Sequence, residues 1–133
     1  MLALAVSLAD YPLTEDLPFR AEARSRTCGS TLALGLALDG TRRITRIGLS
    51  ATACAVGQAS AAIFASHACA FDAKAAKAMR DAMAEWLSGD GSPPDWPDID
   101  ALADARDYPS RHGAIMLPWK AACDALCKPA TAG

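Results

Sequence analysis

The sequence predicts an α+β fold: a small three-stranded antiparallel sheet covered on one face by helices. Three observations carry this expectation. Thr31 to Leu38 (TLALGLAL) alternates, with Leu32, Leu34, Leu36 and Leu38 on one side and small residues on the other, the period of a strand with one buried face. Asp39-Gly40 marks a tight turn, and Arg43 to Leu49 (RITRIGL) resumes in a β-branched style. Beyond Cys54, alanine-rich stretches of helical spacing take over, so strands precede helices along the chain, the order of an α+β domain.

Taken in order, Met1 to Ala9 (MLALAVSLA) is apolar but only nine residues long, lacks a basic flank and runs straight into Asp10, Glu15 and Asp16. A secretory signal needs a charged n-region and a small-residue cleavage site, so this stretch reads as an N-terminal helical segment packing on the body. The hairpin over residues 31–49 comes next, with Ser50 to Ala53 as a short third strand. Ala55 to Ala70 reads as a buried helix. Asp72 has the character of an N-cap for a second helix, Ala73 to Leu87, ending at Ser88-Gly89. Met79, Met83, Trp86 and Leu87 sit at helical spacing there and read as core. Gly89 to Pro97 (GDGSPPDWP) holds three prolines and two glycines and is a loop. Asp98 to Asp107 reads as a short helix broken by Tyr108-Pro109. Ser110 to Leu126 forms the last helix, and residues 128–133 are a frayed tail. The whole of 1–133 is expected to be one domain.

Composition bounds the function. The chain has 133 residues, with 13 basic against 15 acidic side chains and a net charge of −2. That balance argues against a nucleic-acid footprint. No apolar run approaches the roughly 20 residues needed to span a bilayer, and the expected location is cytoplasmic. There cysteines persist as thiols or metal ligands. Five cysteines cannot all pair within one chain. No Gly-rich phosphate loop, Gly-x-Ser-x-Gly elbow or metalloprotease motif is present.

The cysteines are therefore the informative residues. Cys28 lies in a turn-like TCGS segment before the first alternating strand, and Cys54 stands where sheet gives way to helix. At a helix N-terminus, free amides and the dipole favour a thiolate, the species that both metal binding and sulfur transfer require. Each is equally readable as a small buried hydrophobe. Cys69, with His67 nearby, comes about 23 Å along the helix from Cys54 at 1.5 Å per residue and reads as structural or surface. Cys123 and Cys127 are an i, i+4 pair sharing one helix face. They lack a Cys-x-x-Cys motif and further ligands nearby in sequence.

TCGSTLALGLALDG, followed by RITRIGLSATACAVGQASAAIF, resembles the core of the IscU/NifU/SufU iron–sulfur cluster assembly family. In that family a Cys-Gly-Asp opens the first strand, and a small-residue segment ending in Cys precedes an Ala/Ser-rich helix. Cys28-Gly29 and Cys54-Ala55-Val56-Gly57-Gln58-Ala59-Ser60 match these blocks. YPSRHGAIMLPWKAA, with Pro109, Arg111, Leu117, Trp119 and Lys120, is similar to a SufU-type segment. The stretch around residues 89–105 is similar to the insertion that marks that type. The likeness runs over about residues 10–127.

The resemblance implies a scaffold or sulfur acceptor rather than an ordinary enzyme. It implies an iron–sulfur cluster, iron or zinc as the bound species, and a cysteine desulfurase and a second copy of the chain as partners, with neither nucleic acid nor membrane. It also implies a site of three cysteines and an aspartate. Cys28 and Cys54 stand at the first two cysteine positions. Ser30 occupies the aspartate position, and the third cysteine position falls on Ala114, or on Gly113 if aligned one residue earlier. His112 is a candidate additional ligand, because a histidine adjoins the third cysteine in the IscU type. Ser30 could offer only a weak hydroxyl. Zinc takes four ligands in a tetrahedron, and two thiolates alone make a weak, open site. The departures motivate an alternative: a metal-free interaction module that kept the fold and lost the site.

Overall fold

The computed structural model describes residues 8–25, 29–89 and 92–127. The sheet has the order β1-β2-β3 and is antiparallel throughout. Its strands are β1 (Phe19–Arg24), β2 (Thr31–Leu38) and β3 (Ile44–Thr52). The helices are α1 (Ala55–His67), α2 (Ala73–Leu87) and α3 (His112–Cys127), with 3-10 turns at Leu8–Asp10, Ile99–Asp107 and Pro109–Arg111.

The α+β expectation holds, but the third strand is not the one the sequence pointed to. Ser50 to Thr52 does not form a separate strand. It continues β3, because its pairing with Thr31–Ala33 is unbroken. The third strand is β1, on the other side of β2, in register Phe19↔Leu36, Ala21↔Leu34 and Ala23↔Leu32. Its sequence FRAEAR presents mostly alanine to the core, so alternation of large apolar residues did not reveal it. The turn between β2 and β3 forms where Asp39-Gly40 marks it. Asp39 Oδ1 accepts from the Thr41 amide at 2.8 Å and the Arg43 amide at 3.0 Å.

Leu32, Leu34 and Leu36 are buried on one face, beneath α3. That helix packs against β1, β2, α1 and α2, which explains its sequence. Ala114 to Trp119 are all buried, as are Ala121, Ala122, Cys123, Ala125 and Leu126. A helix surrounded by partners is apolar all round instead of amphipathic. It starts at His112, two residues later than the sequence suggested, because Pro109–Arg111 forms a 3-10 turn first. Pro118 sits inside it and has no amide hydrogen for the Ala114 carbonyl.

The other helices follow the sequence closely. Asp72 caps α2, its Oδ1 accepting from the Ala75 amide at 2.9 Å, and the helix ends at Leu87 before Ser88. The first helix is shorter than Ala55–Ala70; it stops at His67, and Ala70 takes a positive φ of 74°. Residues 99–107 form a 3-10 segment instead of an α-helix, entered through Asp98 at φ 67°. Ahead of it, Trp96 anchors the Pro-rich loop. Its ring packs on Phe64, Phe71 and Trp119, and its Nε1–H donates to the Ile63 carbonyl at 2.8 Å.

The sheet face away from the helices is partly covered by residues 11–17. The Leu49 amide donates to the Tyr11 carbonyl at 2.8 Å, protecting the β3 edge. Leu13 and Leu17 lie over Gly35 and Gly48. A Cβ on Gly48 would stand 2.5 Å from both the Pro12 carbonyl oxygen and Leu17 Cδ1. Leu8–Asp10 forms a 3-10 turn; the rest of the expected N-terminal helical segment, like the tail 128–133, lies outside the described residues. Among the described residues no helix is long and apolar enough to cross a membrane.

Candidate functional site around Cys54

Cys54 is the N-cap of α1, with extended backbone at φ −65° and ψ 170°, and it is exposed. The sequence pattern explains its position. Strand β3 ends at Thr52, and the small residues from Ala53 onward let the chain turn directly into a helix that packs closely on α3. The side chain of Cys54 makes no cap hydrogen bond, and no acidic residue stands in the first turn. Its sulfur is thus not occupied in capping, at the helix end where partial positive charge gathers.

The turn is held by its neighbours. The Gln58 amide N–H donates to the Cys54 carbonyl and the Gln58 Nε2 to the Ala53 carbonyl, each at 2.9 Å. Gly57 brings α1 and α3 together: a Cβ there would lie 2.8 Å from Ala53 Cβ and 3.3 Å from Ala114 Cβ. One turn further along, the buried Ser60 hydroxyl donates to the Ile115 carbonyl at 2.6 Å. Ala114 therefore packs on the helical turn that Cys54 heads, and it is fully buried.

Ser30 stands at the same end of the sheet. It immediately precedes β2, whose first residue Thr31 pairs with Thr52, two residues before Cys54. Ser30 is buried, and its carbonyl accepts from the Ser25 amide at 2.8 Å. Gly29 takes a positive φ of 68°, a conformation suited to glycine. Cys28 lies outside the described residues.

His112 belongs to a different environment. Its Nε2 is 2.6 Å from the Arg106 carbonyl. It lines a cavity of about 240 Å³ with Leu87 and Ser88 at the end of α2, and with Met116 and Lys120. Residues two apart on a helix point about 200° apart, so Ala114 faces α1 while His112 faces α2. Cys69 lies past the far end of α1, exposed, with its thiol 3.8 Å from the Thr45 carbonyl. His67 is also there, Nδ1 2.8 Å from the Ser66 hydroxyl. Cys123 is buried and Cys127 exposed; burial pushes the Cys123 thiol up, with Arg80 opposing. Among the described residues no three His, Cys, Asp or Glu side chains gather closely enough to hold a metal ion. Gln58 was not singled out by sequence reasoning. The available signal was a lone long polar side chain four residues after Cys54 in an Ala/Ser-rich helix.

The structural neighbours include NifU-like and SufU proteins. A nitrogen-fixing NifU-like protein (N-terminal part) from Brucella abortus is 29% identical, with a TM-score of 0.78 over 92% of this chain and 88% of its own. A protein described as a candidate iron–sulfur cluster assembly scaffold for the SUF system of Fervidobacterium islandicum AW-1 is 20% identical. Its TM-score is 0.75, over 89% of this chain and 90% of its own. A hypothetical protein, 20% identical, has a TM-score of 0.81 over 96% of both chains. No protein-family model and no curated protein matches the chain.

Proposed function

We propose that this protein acts in iron–sulfur cluster assembly, with Cys54 as a sulfur- or iron-accepting thiolate, Cys28 as its companion and a cysteine desulfurase as the sulfur donor. The observation that carries the reading is the exposed, uncapping Cys54 at the head of α1, in a fold shared with a 29% identical NifU-like protein. The Cys54 thiolate would attack the outer sulfur of the desulfurase persulfide. A new S–S bond forms at Cys54 as the old one breaks, and the desulfurase cysteine leaves as a thiolate, so the transfer itself is redox-neutral; releasing the carried sulfur as sulfide then takes two electrons from an external thiol or electron-transfer protein.

Iron and sulfide are cargo in this reading. Two thiolates per chain suffice for a cluster if two copies each contribute a pair. Zinc fits the donor set poorly: Ala114 carries no donor atom, Ser30 offers a neutral hydroxyl, and His112 turns to Arg106. A tetrahedral zinc site needs four donors. Anaerobic reconstitution with iron and sulfide tests the proposal. The wild type is expected to retain iron and the Cys28→Ala, Cys54→Ala double variant to lose it; equal retention defeats the reading.

The second reading, a metal-free interaction module, is favoured by the same Ser30 and Ala114. It expects desulfurase binding to be indifferent to removal of both cysteines, and little iron in either form.

A further inference from the structure

We infer that Gln58 is the positioning residue for Cys54, holding the two peptide groups that flank it so that the sulfur stays fixed at the head of α1. This rests on the reading of Cys54 as an accepting thiolate.

The geometry of the two helix starts carries the argument. At α2, Asp72 secures its own helix entry, with its carboxylate on the Ala75 amide. At α1, the N-cap side chain makes no such bond, which leaves the sulfur free but the entry unsecured. Gln58 supplies the missing hold. Its backbone N–H takes the Cys54 carbonyl, and its side-chain Nε2–H takes the Ala53 carbonyl, both at 2.9 Å. The first bond is the ordinary opening bond of a helix. The second reaches one residue further back, to a carbonyl outside the helix, and only a side chain of this length and donor type makes it. Consecutive carbonyls on either side of the Cys54 Cα are thus tied to one residue, leaving the intervening backbone dihedrals little freedom. Gly57 closes the other side, pressed between Ala53 and Ala114. A site that must present a sulfur to a partner gains from a fixed first turn, because a backbone held on both sides of the cysteine keeps its side chain presented in one place.

The test is the alkylation rate of Cys54 by iodoacetamide, resolved by peptide mass spectrometry, with the exposed Cys127 as internal reference. Gln58→Met keeps length and helix propensity but has no donor. Gln58→Leu also lacks a donor, favours helix equally and adds no charge near the sulfur. Each is expected to lower the Cys54-to-Cys127 rate ratio by about threefold or more, within the weight of one ordinary hydrogen bond. A merely structural role would lower the melting temperature and leave the ratio unmoved at low temperature. An unchanged ratio in a folded variant overturns the inference, and Gln58→Leu decides if Gln58→Met fails to fold. The cluster-assembly reading fails on a separate measurement, iron retention in the double cysteine variant.

Discussion

Asp16 shows how one side chain can tie a chain segment to a sheet. It pairs with Arg46 on β3 at 2.8 Å and accepts from the Thr14 hydroxyl. The Arg46 hydrogen bond, followed by that from Thr14, holds its carboxyl down at about 2, against an ordinary value of 3.8. A carboxylate whose folded value is depressed stabilises the fold fully above its unfolded value, and the contribution is lost as pH falls toward the folded one. The tether is therefore intact at neutral pH and fails only between about pH 4 and 2. An NMR titration of the Asp16 carboxyl should show a midpoint near 2, and Arg46→Ala should move it back toward 3.8. A wild-type midpoint near 4 would show that the ion pair does not persist in solution. Both groups are more than half exposed, so the pair fixes where residues 11–17 lie more than it adds stability.

At the scale of elements, glycine decides the approach of two segments. Gly35 and Gly48 face each other across β2 and β3 and lie beneath Leu13 and Leu17. Gly48→Ala would force its methyl against the Pro12 carbonyl, a backbone atom with nowhere to swing. Overpacking of this kind costs about 1–3 kcal/mol. Urea unfolding should give a loss of that size and faster proteolysis within residues 11–17, whereas an unchanged midpoint would mean that the segment does not rest on the sheet. Gly57 plays the same part between α1 and α3, and there it sets the distance between Cys54's turn and Ala114.

Across the whole molecule, the aromatic cluster joins parts distant in sequence. Trp96 comes from the Pro-rich loop, Phe64 from α1 and Trp119 from α3, with centroids 5.6–5.8 Å apart. Trp96→Ala removes a buried ring and the loop's bond to Ile63 together. A loss of about 3–5 kcal/mol is expected, with the transition still cooperative and the alkylation rate of Cys54 in the folded fraction unchanged. A changed Cys54 rate in the folded fraction would show that the loop also supports the Cys54 site.

Much of this was legible in the chain. The leucine alternation of β2, the Asp39-Gly40 turn, the Asp72 cap and the position of Cys54 at a helix start all rest on local physics. Steric preference, capping and the side-chain period act within a few residues, and the sequence alone determined them. The rest depended on neighbours far along the chain. Strand β1 is polar and alanine-rich and becomes a strand only because β2 offers an unpaired edge. Only the tertiary structure decided that Ala114 packs on Cys54's turn while His112, two residues away, turns to Arg106, because helix rotation and packing against α1 and α2 set which way each side chain points.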